Sequence, residues 1–250
     1  MIPKIIWQTY ELPYEYLSNE IKVGPNLWME KNPDWSYRYM DAKQREEFVL
    51  KEYGQEWLDI FNKCPLGIMK ANIWRFMVLC SYGGVYLDLD VIPKVPIGDW
   101  LNLKNNFFIR LDESELNNTM FNIELIGSSP KNNILVSSLT MIKNLLLNYE
   151  YPTHKLHRYD VYNFTGEAII REAIIKVLDP KSKTTSSLTA LDYNSLELSK
   201  NNKFYCYSYE DNSFNIKDII SNVDGANNWI LGYNNWQDEV ITKEGIRSLI

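Results

Sequence analysis

The chain has 250 residues, 45% hydrophobic and 14% aromatic, enough to bury a sizeable core in one domain. A formal net charge of -6 with no basic patch excludes a general nucleic-acid binder, while a nucleotide stays compatible because a divalent cation screens a diphosphate locally. No apolar run approaches the ~20 residues that span a bilayer, and no basic-then-apolar leader opens the chain, so a soluble, cytoplasmic protein is expected, with peripheral association at the cytoplasmic face of a membrane still compatible.

In chain order, Lys4 to Trp7 reads as a compact buried strand that ends in the polar Gln8-Thr9. After the turn signal Asn32-Pro33-Asp34, Trp35 to Met40 alternates like a second strand and ends at Asp41. From Ile68 onward, Met69, Ile73, Phe76, Met77 and Cys80 recur at helical spacing and predict an apolar face lying on a sheet. Gly83-Gly84 stops that helix and leads into a short strand, Val85-Tyr86-Leu87, while Pro93 and Pro96 prevent a long continuation. Two further helices are expected, Ile134 to Leu147 and Glu167 to Leu178, the second opened by Thr165 as N-cap. The stretches 115–119, 181–187 and 199–203 read as surface loops. Cys64, Cys80 and Cys206 form neither a zinc pattern nor a disulfide framework.

The chemistry concentrates in Asp88-Leu89-Asp90, at the carboxyl end of a strand, where open α/β sheets bind ligands. In a continuing strand the two carboxylates would point to opposite faces, but a turn here brings both to one ion. Oxygen-only ligands suit Mn²⁺ or Mg²⁺, with water and phosphate oxygens completing the shell. His154 and His157, the only histidines, lie among basic residues and are not expected to hold a metal. No Ser-His-Asp set, phosphate-cradling Gly-Lys-Ser loop or dinucleotide glycine fingerprint is present.

Three blocks carry a resemblance. Ile2-Pro3-Lys4-Ile5-Ile6-Trp7-Gln8-Thr9, Asn32-Pro33 followed by Trp35 to Tyr39, and the run from Lys70 to Val91 resemble, in the same order, the DXD-containing sugar-binding-region enzymes of glycosyltransferase family 32. The resemblance implies an α/β, GT-A (Rossmann-like, nucleotide-sugar-binding) fold with a mixed central sheet flanked by helices, and one domain over 1–250. In it, 1–100 would form the nucleotide-binding half and 101–250 the donor-sugar and acceptor half. It implies metal-dependent, retaining transfer of a hexosyl group from a UDP- or GDP-sugar to a glycan or other hydroxyl acceptor.

By motif position Asp88 would contact ribose or metal-bound water, Asp90 would ligate the metal, and Arg75 would engage donor sugar or phosphate, its other reading being a salt bridge at the helix surface. With Asn72 these form the candidate catalytic set. Asn72 departs from the family's usual Asp; at i, i+3 it still lies beside Arg75, and an amide hydrogen-bonds sugar hydroxyls without supplying a charge. Trp7 is read either as a base-stacking ring or as a core tryptophan, with Gln8 and Thr9 beside it. Asp41 is read either as a ribose or base partner or as a solvated loop residue. Asn122, Thr165 and Glu167 fall in segments that resemble donor-sugar contacts, with Glu167 the reserve nucleophile. Near the C-terminus the family's His is missing, Asn235-Trp236 stands where Ser-Trp is usual, and Asn234 or Asn235 would offer a carbonyl oxygen to the cation. Two rival readings are a catalytically weak nucleotide-sugar-binding protein and a nucleotide-sugar hydrolase.

Overall fold

A computed structural model describes residues 1–113, 119–149, 158–178, 204–208 and 220–222. Strand β1 (Ile5–Thr9) is followed by a short 3₁₀ turn (Tyr14–Tyr16), helix α1 (Asn19–Lys31), strand β2 (Ser36–Met40) and helices α2 (Ala42–Tyr53), α3 (Gln55–Lys63) and α4 (Gly67–Tyr82). Strands β3 (Gly84–Leu87) and β4 (Val91–Pro93) come next, then α5 (Ile97–Trp100), β5 (Phe107–Glu113) and β6 (Thr119–Ser128). Helices α6 (Asn133–Leu147), α7 (Arg158–Phe164) and α8 (Glu167–Leu178) and strands β7 (Phe204–Ser208) and β8 (Ile220–Asn222) complete the described elements.

The main sheet has the order β2-β1-β3-β6-β5-β7, and β4 pairs with β8 in a separate ribbon. β1 is parallel to β2 and β3, β6 is antiparallel to both β3 and β5, and β5 is parallel to β7. The sheet is therefore mixed, as expected, with its parallel trio ending on the side that carries Asp88.

Alternation along the strands splits the core into two layers. Trp7 and Tyr86 face a large cluster shared with α2, α3, α4, α6 and α8, whereas Ile6, Val85 and Leu87 face a smaller one with Trp28 of α1 and Trp100 of α5. Helix α4 departs from the expected one-sided helix. Every residue from Ala71 to Cys80 is buried, Asn72 and Arg75 included, because α2 and α6 cover the sides that the sheet does not. Its C-terminus closes on Gly83 at φ 68, whose N–H donates to the Leu79 carbonyl.

α8 begins at Glu167 as expected, but Thr165 does not cap it. The Thr165 N–H donates to the Val161 carbonyl at 3.1 Å and its hydroxyl to the same atom at 3.3 Å, extending the end of α7. Gly166 instead supplies the carbonyl that accepts from Ile169 N–H.

Candidate active site

Tyr86 and Asp88 are two residues apart on β3 and at its exit, so their side chains share the face that looks at α4. Asp88 Oδ1 accepts from the Tyr86 hydroxyl at 2.6 Å and from Arg75 Nη2 at 3.1 Å. The Arg75 guanidinium lies 4.3 Å from the Tyr86 ring centroid and donates through Nη1 to the Ile123 carbonyl at 2.6 Å. Arg75 is 1% exposed, so it is not a surface salt bridge; it is a buried cation that orients Asp88. Burial first, and then the charge of Asp88 and its hydrogen bond, push the Tyr86 phenol well above its ordinary pKa and keep it in its neutral donating form, against the opposing pull of Arg75.

The backbone is fixed as tightly. Asp88 N–H donates to the Glu124 carbonyl at 2.9 Å, and the Asp88 carbonyl accepts from Val91 N–H at 3.1 Å and from the Gln8 side-chain amide at 3.1 Å. Asp88 to Val91 thus makes a turn, which places Asp90 after β3 has ended. The acceptors for Arg75 and Asp88 come from an irregularity in β6, where the β5 partner jumps from Ile126 (opposite Ile109) to Asn122 (opposite Arg110). Asn122 Oδ1 accepts from Glu124 N–H at 2.8 Å, and the Glu124 carboxylate pairs with Arg110, which together hold the bulge.

The carboxyl of Asp90 is pushed up to about 6, first by burial and then by the charge of Asp88; its own backbone N–H and Arg75 oppose the rise. A carboxyl whose ionisation is opposed by burial and by a neighbouring carboxylate marks a place short of positive charge, which a hard divalent cation can supply. Asp90 and the second oxygen of Asp88 therefore fit such an ion, with the remainder of its shell from water and phosphate. Among the described residues no cluster of three or more His, Cys, Asp or Glu side chains exists to complete it.

Asn72, one turn before Arg75 on α4, is 3% exposed, and its amide nitrogen lies 3.4 Å from the Thr165 hydroxyl oxygen, so two sequence candidates far apart in the chain meet. Its Oδ1 is buried with no hydrogen-bond partner among the described residues. Glu167 is partly buried in the first turn of α8, two residues beyond Thr165. Trp7 takes the core reading: it is 5% exposed, donates from Nε1 to the Gly83 carbonyl at 2.8 Å, and packs edge-on to Trp74 and stacked on Tyr82. Gln8 is fully buried, bracing Asp88 and accepting from the Tyr37 hydroxyl at 2.8 Å. Thr9 donates to the Met40 carbonyl at 2.6 Å. Asp41 has a structural role that neither reading from sequence gave it. It is the N-cap of α2, accepting from Gln44 N–H at 2.8 Å in a reciprocal capping box, a pattern visible as Asp-x-x-Gln. Asn234, Asn235, Trp236, His154 and His157 lie outside the described residues.

Tyr86 is the site residue that sequence reading passed over. Its signal was position alone, two residues before Asp88 on a strand.

These features define a GT-A fold: a mixed α/β sheet with an acidic Asp-x-Asp turn at the carboxyl end of its parallel strands. The solved PaToxG glycosyltransferase shares the fold at TM-score 0.51 and 19% identity, over 72% of each chain. Residues 18–108 match the model of the glycosyltransferase sugar-binding region containing DXD motif. The chain is 30% identical over 104 residues to the initiation-specific alpha-1,6-mannosyltransferase of Schizosaccharomyces pombe, covering 40% of this chain and 26% of that one. It is 25% identical over 192 residues to an uncharacterized glycosyltransferase of Acanthamoeba polyphaga mimivirus, covering 77% and 71%. A mannosyl phosphorylinositol ceramide synthase of Saccharomyces cerevisiae is 37% identical over 91 residues, covering 36% of this chain and 23% of that one. The chain thus spans about a quarter of the length of these yeast relatives.

Proposed function

We propose that the protein is a metal-dependent, retaining glycosyltransferase that moves a hexosyl group from a UDP- or GDP-sugar to a glycan or other hydroxyl acceptor. The observation that carries this reading is the unequal pair at the end of β3. Asp88 is pinned through one oxygen by Arg75 and Tyr86, and Asp90 beside it has its carboxyl raised to about 6.

Asp90 and the free oxygen of Asp88 would hold Mn²⁺ or Mg²⁺, with a carbonyl of Asn234 or Asn235 and the ring of Trp236 contributing from the C-terminal segment. Bound there, the ion supplies Lewis-acid neutralisation of the departing diphosphate. Arg75 holds Asp88 in its productive rotamer. The orphaned Oδ1 of Asn72 accepts a donor hydroxyl, which removes the cost of a buried unpaired acceptor, and Thr165 presents its hydroxyl beside it. Glu167 and Asn122 complete the donor-sugar side. In this reading residues 1–250 act as one domain, with the nucleotide in the half formed by 1–100. Among the described residues no helix is long and apolar enough to cross a membrane; the proposed enzyme works in the cytoplasm, free or peripherally attached to a membrane. The mannosyltransferase relatives make a mannosyl donor the first to test.

Incubation with a panel of UDP- and GDP-sugars and Mn²⁺, following nucleotide release and product mass with and without acceptors, tests the activity. Asp90→Ala is expected to abolish metal-dependent donor binding in calorimetry, and retained binding would sink the metal assignment. Asn72 in place of a carboxylate favours a second reading, a weakly catalytic donor-binding protein. Metal-dependent binding without turnover would establish it, and free sugar as the sole product would identify a hydrolase.

A further inference from the structure

Arg45, in the second turn of α2, is 1% exposed, yet it does not touch Asp88 or Asp90. Its guanidinium reaches the segment where β1 leaves the sheet. Nη1 donates to Thr9 Oγ1 at 2.8 Å and to the Tyr10 carbonyl at 3.3 Å, while Nη2 donates to Glu11 Oε1 at 2.5 Å. Three consecutive residues hang on one buried cation. Replacing a buried ion pair by apolar side chains of similar volume is often neutral or stabilising, so stability alone does not account for this one.

What it fixes is visible on the other side of Glu11. A Cβ placed on Gly67 would stand 2.6 Å from Glu11 Oε1, so the carboxylate lies directly against the first residue of α4. The preceding residue, Leu66, offers no side-chain cap, and a carboxylate at that end is favoured by the helix dipole. α4 is the helix that presents Asn72 and Arg75, and the β1 exit is bonded to Asp88 through Gln8 and to the end of β2 through Thr9. Arg45 and Glu11 therefore clamp α2, the β1 exit and the start of α4 around the Asp-x-Asp turn.

We infer that Arg45 and Glu11 are positioning residues for the donor: they set where Tyr10, Glu11 and the first turn of α4 stand relative to Asp88 and Asp90, and touch no reacting atom. This rests on the proposed donor site. It favours glycine at position 67, because a Cβ there overlaps the Glu11 carboxylate and displaces it.

Glu11→Gln keeps shape while removing the charge at a half-exposed side chain, and Gly67→Ala presses the same carboxylate from the other side. In each, the donor KM or Kd is expected to rise roughly five- to twenty-fold with kcat within about threefold of wild type, and the double variant to be little worse than either single one. Hydrogen exchange, which needs no turnover, is expected to quicken at least about tenfold in residues 10–17 and 68–71 while β5 and β6 keep their protection. An active wild type whose KM both variants leave unchanged, or a fall in kcat at constant KM, overturns the inference and leaves the transferase reading standing. Unchanged exchange removes the clamp itself. A wild type that binds no nucleotide sugar overturns the proposed function, and the positioning role with it, whatever exchange reports about the clamp.

Discussion

At its first residue β3 passes so close to β1 that a Cβ on Gly84, held at φ 110, would stand 2.6 Å from the Ile5 carbonyl oxygen; at its exit it carries two carboxylates and a buried cation. The near end is built by contact. A Cβ on Gly83 would meet Pro3, Pro130 and the Ser128 carbonyl within 2.8 Å, one on Gly127 would lie 2.1 Å from the Phe108 ring, and the Gly83 carbonyl is taken by Trp7. The far end is built by polarity: Asp88 receives two donors on one oxygen, Asp90 is raised to about 6, and Asn72 Oδ1 is buried without a partner among the described residues. The first arrangement gains stability from close packing. The second keeps a raised carboxyl and an unpaired acceptor buried at some cost, so neutralising Asp90 should stabilise the fold where filling a near-end glycine destabilises it.

The largest effect is expected at the near end. Gly84→Ala adds both a backbone conformation that L-residues resist and an overlap with a main-chain oxygen that cannot rotate away, which together cost about 3 kcal/mol or more. Thermal and urea unfolding measure it, and a variant as stable as wild type would remove the packing half of the contrast.

At the far end Asp90→Asn is expected to stabilise the metal-free protein. Because the folded carboxyl titrates at about 6 instead of 3.8, the folded state holds its proton longer than the unfolded chain does. The native state therefore loses stability as pH climbs from about 4 to about 6, and above that carries a penalty of up to roughly 3 kcal/mol. Asp90→Asn should abolish that fall, with a higher Tm than wild type at pH 7.5 and no advantage at pH 3.5. Equal pH profiles for the two proteins would show that Asp90 is not the strained group.

Tyr86→Phe should act least on the fold and more on the site. Losing one hydroxyl costs about 1 kcal/mol of stability. Asp88 then keeps Arg75 as its only side-chain donor among the described residues, and metal-dependent donor affinity is expected to fall about three- to tenfold by calorimetry, an effect that separates orientation of Asp88 from packing of the ring.

Much of this was legible beforehand. The compact run of β1, the glycine pair after α4 and the short strand before Asp88 are local patterns, and all three formed, β1 extending over Ile5–Thr9 where Lys4 to Trp7 was expected. α1 escaped notice because Gly24-Pro25 interrupts its centre, and its reason is remote: Gly24 packs under the Leu89 carbonyl and Trp28 donates to Val91, so the helix exists to back the Asp-x-Asp turn. The β6 bulge was hidden for the same reason, since a register shift is a property of two strands and of neither alone. Trp7 and Asp41 had two readings each because a ring or carboxylate at a strand end looks alike whether it meets ligand, core or helix.

From sequence alone came the candidate set: Asp88, Asp90, Arg75 and Asn72 at their spacing on a helix, a turn and a strand, because residue type and local geometry are encoded along the chain. Tertiary structure alone decided how the members of that set are paired and buried. Pairing Arg75 and Tyr86 with one oxygen of Asp88, leaving Asp90 desolvated, and bringing Thr165 to Asn72 all depend on which surfaces meet, and burial sets the cost of a charge only after they have met.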